Sequence, residues 1–476
     1  MAKILTPDIC VIGAGSGGLS VAAAAAAFGV RVVLVEKGKM GGDCLNYGCV
    51  PSKALIAAAK QAHIMRNGAA FGVEYIEPAI DFRAVHRHIR EIIAAIEPND
   101  SVERFTALGV HVIKAEGHFQ DKRTLLAGDF EIRARRFVVA TGSQPSIPAT
   151  PGLDTVKYLT NETIFELTRR PGHLIIIGGG AIGMELAQAY SRLGSRVSVV
   201  EAATALGKED PELAAVVLRQ MRSEGVEIYE HAKVIGIERR GKTGVRLNVE
   251  TDEGSQTMDG THLLVAAGRT ANVASLHLEK AGVVCDDRGG PKVNDRLRTS
   301  NSRIYAIGDA VGSLQFTHVA NYHAGLVTRA MLFRLRAREK HQIIPRVTFT
   351  DPELAQVGLT EAEAARSGKA IRILRWPYAE NDRAQAERKT QGHIKLVMST
   401  RGKILGASIV GANASEMISI WALALSKNMD VRDIAGIVVP YPTMGEIGKR
   451  AAITYFVPAT RKKLVRRLVS FLRLFG

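Results

Sequence analysis

The chain is poor in cysteine. Four in 476 residues (Cys10, Cys44, Cys49 and Cys285) are too few for a disulfide framework. Long apolar runs are missing too. The longest, Leu19 to Phe28, falls well short of a bilayer span, and Arg31 soon follows. Met1 to Cys10 lacks the basic-then-apolar layout of a secretory signal. These absences predict a cytoplasmic protein whose cysteines are reduced, apart from any redox pair. The sequons at Asn161 and Asn413 then carry no meaning. With 46% hydrophobic and 23% charged residues, disorder, collagen and coiled coil are excluded as the organising principle. Acidic residues are absent from the last sixteen positions, which hold six basic ones: Arg461, Lys462, Lys463, Arg466, Arg467 and Arg473. The net charge of +16 favours acidic ligands or an anionic surface and says nothing about fold.

What the chain does have is glycine, 46 of them, and an internal repeat. Pro7 to Ile12 runs into Gly13-Ala14-Gly15-Ser16-Gly17-Gly18, and His173 to Ile177 runs into Gly178-Gly179-Gly180-Ala181-Ile182-Gly183. Each is a short apolar strand, a G-x-G-x-x-G and an Ala-rich helical pattern. Each continues to a second apolar run that ends in an acid, Glu36 or Glu201, 23 residues after the first glycine in both cases. The first glycine of such a unit permits a tight turn. The second lets backbone approach a pyrophosphate, and the third lets helix pack closely on strand. The helix N-terminus faces the phosphates and the acid takes ribose hydroxyls. Gly13, Gly15, Gly18 and Glu36 are therefore one predicted dinucleotide set, and Gly178, Gly180, Gly183 and Glu201 the other. Two such sites in one chain point to a flavin enzyme with a nicotinamide partner.

Gly236 to Thr243 matches a phosphate-loop pattern by spacing alone. Such a loop must open a helix. Here Val245, Leu247 and Val249 alternate with polar residues, which predicts a hairpin.

Cys44 and Cys49 stand in Gly41-Gly42-Asp43-Cys44-Leu45-Asn46-Tyr47-Gly48-Cys49-Val50-Pro51-Ser52-Lys53, ahead of a helical run from Ser52 to Ala62. Cys10 and Cys285 read as small buried hydrophobes. The pair does not, because Gly, Asn, Tyr and Ser surround it. A thiol at a helix start is expected to have a lowered pKa. Zinc would need a second cysteine pair or a close histidine, and neither is near in the sequence.

That run resembles the redox-active disulfide of the flavoprotein pyridine nucleotide–disulfide oxidoreductases, a family that includes dihydrolipoamide dehydrogenase, glutathione reductase and mercuric reductase. The resemblance extends from Asp8 to about Tyr455. Ala140-Thr141-Gly142-Ser143 is similar to the family's mid-chain flavin motif, Ala267-Gly268-Arg269 to the end of its NAD domain, and Ile304 to Ala310 to its second FAD motif. Val347 to Glu353 resembles the opening of its dimerisation domain. The resemblance implies an α/β fold with two Rossmann-like domains, for FAD and NAD, and an α/β C-terminal dimerisation domain. It places an FAD domain at 1–147 resuming at 269–343, an NAD domain at 148–268, a dimerisation domain at 344–456 and a basic tail at 457–476. It implies a homodimer in which NADH reduces FAD and FAD reduces the cysteine pair. Cys49 would contact the flavin, Cys44 would attack substrate, and Lys53 would sit near the flavin and pair with Glu185. Gly42, Gly117, Thr141, Gly142, Asp309 and Thr317 join the flavin set, and Gly268 the nicotinamide set. Glu201 implies NADH in preference to NADPH.

Two features depart from the family pattern. Its His-Pro-x-x-x-Glu motif, supplied by a partner subunit, is here Tyr441-Pro442-Thr443-Met444-Gly445-Glu446. Tyrosine is a poor base at neutral pH. Mercuric reductases also carry Tyr there, but this chain has no cysteine after Cys285 to hand a metal inward. The expected acceptor is a small-molecule disulfide, with a metal ion or a quinone as the alternative; nucleic acid is not expected. The second departure is the tail. Leu464, Val465, Leu468, Val469, Leu472 and Phe475 share one helical face, with basic residues mostly opposite. That pattern fits peripheral contact with an anionic membrane, docking on its own dimer, or a solvated end.

Overall fold

A computed structural model describes residues 3–241, 244–312 and 314–475. It resolves into two compact units. The first is Met1–Gly179, Ala189–Ala202 and Glu227–Glu339; the second is Gly180–Gln188, Ala203–Val226 and Lys340–Gly476.

The first unit holds both repeated strand pairs. Strand β1 (Ile9–Ile12) is buried throughout, as a strand covered on both faces must be, and leads into helix α1 (Ser16–Ala27) and strand β2 (Val32–Val35). Strands Ile304–Ala306, Arg136–Val139, β1, β2 and Val110–Ile113 form a parallel sheet in that order. After β2 come a short helix α2 (Gly42–Asn46) and helix α3 (Cys49–Arg66). Helix α3 thus runs beyond the predicted Ser52 to Ala62 at both ends, and Cys49 is itself its first residue. In the second repeat, strand β3 (His173–Ile177) leads into helix α4 (Ala181–Arg192) and strand β4 (Arg196–Val200). The sheet order is Glu227–Tyr229, β4, β3, His262–Val265, again all parallel. Lys233–Arg240 and Gly244–Thr251 pair antiparallel, so the phosphate-loop lookalike is the predicted hairpin; its Lys242 and Thr243 lie outside the described residues. Cys10 is fully buried and burial pushes its thiol pKa up, the behaviour of a core residue. Cys285 is half-buried against the same core. Helix α5 (Thr317–Phe333) packs against α1.

The second unit is built on an antiparallel sheet in the order Arg346–Thr348, Glu353–Gly358, Ile404–Gly411, His393–Ser399, Ile371–Pro377. Its core gathers around Trp421 and Tyr378, both fully buried. Helix α6 (Glu446–Ile453) packs its Ile447, Ala451 and Ala452 into that core. Helix α7 (Lys463–Leu472) buries no residue. Among the described residues no helix is long and apolar enough to cross a membrane.

Candidate active site

The two glycine turns are built alike. Gly13 has φ +105° and Gly178 φ +112°, conformations that L side chains rarely adopt. A Cβ on Gly13 would lie 2.4 Å from the Ala140 carbonyl oxygen, and one on Gly178 would lie 2.4 Å from that of Ala266. Gly13 N–H donates to Val35 O and Gly178 N–H to Val200 O. Both acids turn back onto their own loop. Glu36 Oε2 accepts from Ala14 N–H at 2.6 Å, and Glu201 Oε2 from Gly179 N–H at 2.7 Å. Each carboxylate therefore stands at the end of its second strand, beside the turn that would approach a pyrophosphate. Gly183 lies within α4, three residues after Gly180, which begins the turn's passage into the helix.

The surroundings of the two turns differ. Gly15 bridges to Gly41, and a Cβ on Gly42 would sit 2.8 Å from the Gly15 Cα. The redox loop thus lies across the first turn. A Cβ on Gly18 would meet the Gly13 carbonyl oxygen at 1.9 Å, so α1 starts hard against its strand. At Gly180, the counterpart of Gly15, an added Cβ would meet nothing within 4 Å, whereas one on Gly15 would lie 4.0 Å from the Gly42 Cα.

The redox loop is held from inside. The buried Asn46 amide donates to Met40 O and Gly42 O, both at 2.9 Å, which folds Gly41 to Tyr47 back on itself. Cys44 lies in α2 and Cys49 opens α3. The Cys44 thiol hydrogen-bonds Cys49. That bond, then burial, pushes its pKa upward, while Thr317 works the other way. This corrects the expectation of a lowered pKa at this thiol. Two sulfurs that share a proton cannot both carry charge. Cys49, exposed, starts a full helix where the dipole favours an anion. The Thr317 hydroxyl, first residue of α5, lies 3.4 Å from Cys49 Sγ. Lys53 falls one turn after Cys49 on the same face of α3.

A second tie was not read from the sequence. Arg269, only 11% exposed, donates to Ser143 Oγ at 2.7 Å and Ser143 O at 2.9 Å, and pairs with Asp43 Oδ2 at 3.1 Å. The Ser143 hydroxyl donates to Asp309 Oδ2 at 2.6 Å, and Asn161 Nδ2 donates to Asp43 Oδ1 and Tyr47 O. Asp43, beside Cys44, is thereby joined to Asp309 through one guanidinium. Burial raises the Asp309 pKa, against the pull of Ser143 and Arg269. The signal was present: Asp43, Ser143 and Arg269 all stand inside quoted motifs, but no spacing rule links them.

These residues fit FAD. Thr141 Oγ1 is buried with no hydrogen-bond partner, beside Gly142, whose φ is +70° and whose missing Cβ faces open space. Gly117 starts the strand Gly117–Phe119 and packs against Val35 and Leu125. Gly268, at φ +130°, ends the run that follows Ala266.

In the second unit, Glu185 is 6% exposed and its Oε1 accepts from Phe349 N–H at 2.9 Å. Tyr441, exposed, donates its hydroxyl to Asp382 Oδ2 at 2.8 Å. That bond pushes the phenol pKa above its usual value. Glu446 begins α6. Among the described residues no three His, Cys, Asp or Glu cluster as a metal site.

Two glycine turns of the dinucleotide-binding kind, one crossed by the loop that carries Cys44 and Cys49, fit an oxidoreductase of the flavin-dependent class. Comparison with known proteins gives the family. The pyridine nucleotide–disulphide oxidoreductase model matches residues 7–324 and its dimerisation-domain model residues 344–452, so the chain belongs to this family of FAD-dependent disulfide oxidoreductases. It is 35% identical to mercuric reductase of Streptomyces lividans over 455 residues, covering 94% of this chain and 96% of that one. It is 35% identical to dihydrolipoyl dehydrogenase of Geobacillus stearothermophilus over 452 residues, 94% and 95% of the two chains. Among solved structures, LpdA from Mycobacterium tuberculosis matches with a TM-score of 0.86 at 26% identity, over 95% of this chain and 99% of that one. The Cu(II) complex of the HOCl-induced flavoprotein disulfide reductase RclA from Escherichia coli matches with a TM-score of 0.83 at 29% identity, over 93% and 98%.

Proposed function

We propose that the protein is a cytoplasmic, homodimeric NADH oxidoreductase that passes electrons through FAD and the Cys44–Cys49 pair to an external acceptor. The observation that carries this reading is the hydrogen-bonded Cys44 and Cys49 pair, with Thr317 3.4 Å from Cys49 Sγ, on a loop that lies across the first glycine turn. The proposed division is that of the sequence: an FAD domain at 1–147 and 269–343, an NAD domain at 148–268, a dimerisation domain at 344–456 and a tail at 457–476. Bound FAD supplies two-electron exchange between nicotinamide and dithiol. The chain does the rest. Gly13, Gly15 and Gly18 hold one pyrophosphate, Gly178, Gly180 and Gly183 the other, and Glu201 takes the ribose hydroxyls of NADH. Lys53, one turn after Cys49 on α3, faces the flavin. Cys49 holds the thiolate on the flavin side. Cys44, once its proton has passed to a base, attacks the acceptor as the thiolate. Asp43 and Arg269 fix the loop's position against Asp309.

The acceptor is the open part of the reading. A disulfide needs a base to ionise Cys44 and an acid for the leaving thiol. Tyr441, its hydroxyl committed to Asp382, supplies no base. That favours the second reading, a metal-ion or quinone acceptor, and the mercuric reductase relatives and the Cu(II) complex of RclA support the metal ion. Steady-state NADH oxidation with lipoamide, glutathione disulfide, Hg(II), Cu(II) and a quinone decides it. Turnover with the metal ions well above that with lipoamide is expected. The reverse order returns the protein to disulfide substrates.

A further inference from the structure

Helix α7 is an amphipathic helix none of whose described residues is buried. Around its axis, Leu464, Val465, Leu468, Val469, Phe471 and Leu472 occupy one continuous arc, and Lys463, Arg466, Arg467 and Ser470 the other. In a folded protein the apolar arc would ordinarily face a core. Here it faces solvent: Leu464 is 79% exposed, Leu468 55% and Phe471 56%. Leu474 and Phe475, in the turn that follows, are more exposed still than Leu468. At its start Arg466 Nε donates to Thr460 O at 2.9 Å. Docking of the tail on its own subunit is therefore not what the described residues show. The dimerisation model ends at residue 452, so α7 is not part of the matched dimer-forming domain either.

We infer that α7 lies in the plane of an anionic phospholipid surface, its apolar arc among the acyl chains and its basic residues at the headgroups. Charge selects this occupant. The stretch from Arg461 carries six cations and no acid, on a chain of net charge +16, so a second copy of the same helix would bring like charge to like charge. Nucleic acid would use the basic residues but would leave six large apolar side chains in water. An interfacial helix satisfies both faces at once. The inference stands apart from the redox reading and uses none of its residues.

The test is sedimentation of the full-length holoprotein with vesicles of phosphatidylcholine alone, or with about a quarter phosphatidylglycerol. Binding to the anionic vesicles and little to the neutral ones is expected. Arg466→Ser with Arg467→Ser should weaken partitioning about 25-fold, about fivefold per cation. Leu468→Asp should abolish it, and Phe471→Trp should show a blue-shifted emission on binding. NADH oxidation by each variant should match the parent, which checks that the chain is folded. Equal binding to both vesicle types, or binding indifferent to all these substitutions, overturns the inference. So does tail-dependent self-association without lipid, which would put a second copy on the arc. Nucleic-acid binding that survives Leu468→Asp and competes away the vesicles overturns it as well.

Discussion

The same turn occurs twice in this chain, and the two copies are set in different surroundings. Gly13 and Gly178 match in φ, in the carbonyl that each nearly touches, and in the acid that bonds the next residue's N–H. The first copy is enclosed: Gly41 and Gly42 press on Gly15, and Gly18 has no room for a methyl group. At the second, Gly180 faces open space. One backbone device thus serves two ends. A ligand roofed over by the chain dissociates slowly and stays as a resident cofactor. A ligand at an open turn can exchange with each catalytic cycle.

The largest expected effect tests the roof itself. Cys44→Ser and Cys49→Ser should each lower acceptor turnover on the order of 10³-fold or more, since either removes half of the dithiol. They should differ in absorbance. Cys44→Ser leaves Cys49 able to ionise beside the flavin and should show a long-wavelength band without added reductant, whereas Cys49→Ser should show none. Spectra of both purified variants measure this. A band in Cys49→Ser would reverse the assignment of the two thiols.

Next come two glycine substitutions, at the third glycine of the first turn and the second glycine of the second. Gly18→Ala would set a methyl against a backbone carbonyl at 1.9 Å, with no flexible side chain to give way. It should cost about 3 kcal/mol of stability and most of the bound FAD. Gly180→Ala should leave melting temperature and flavin content unchanged while raising KM for NADH about tenfold, because its methyl enters only the space meant for a pyrophosphate. Thermal melts, flavin-to-protein absorbance ratios and NADH kinetics separate the outcomes. Equal damage from both would erase the distinction between a glycine packed against its own strand and one that faces open space.

Glu201→Arg sharpens the comparison at the second turn alone. A carboxylate there accepts ribose hydroxyls and repels a 2′-phosphate. Replacing it should shift the ratio of kcat/KM for NADH over NADPH by about 10- to 100-fold towards NADPH, the worth of one or two charged hydrogen bonds. Flavin content should stay constant. A parent enzyme that uses both nucleotides equally would count against Glu201 as the selector.

Much of this architecture was legible in the residues. The glycine spacing and the terminal acids foretold both strand–turn–helix units, because a tight turn at positive φ admits little else. Alternation after Gly241 correctly overrode the phosphate-loop pattern. The cysteine spacing pointed to the loop but not to its electrostatics. Helix dipole reasoning predicted a lowered thiol pKa, yet Cys44 is dominated by its partner sulfur, a contact that depends on how Gly42 to Cys49 coils. The Asp43–Arg269–Ser143–Asp309 chain was not legible either. Its members lie up to 266 residues apart, and a short strand pairing of Ser143–Pro145 with Arg269–Ala271 is what brings two of them together. The Asp382 partner of Tyr441 was missed for the same reason: 59 residues separate them.

The smallest expected effect lies away from both turns, at the acceptor end. Tyr441→His exchanges a hydroxyl donor for an imidazole that can take and return a proton near neutral pH. General acid–base help reaches roughly 10²–10⁴-fold where the base is well placed. Here the new ring lacks an evolved partner. Asp382, which now accepts the phenol, and Glu446 at the start of α6 are the carboxylates that could orient it. A gain of about tenfold in lipoamide turnover is therefore expected, well under the ceiling. Because Tyr441 belongs to neither turn, flavin content, KM for NADH and turnover with Cu(II) or Hg(II) should not move. That separation gives the experiment its force. A rise confined to lipoamide identifies proton transfer at Cys44 as what limits disulfide exchange in the parent. Rapid lipoamide turnover by the parent, unimproved or harmed by the histidine, would mean that another group already ionises Cys44 and that a disulfide is the acceptor after all.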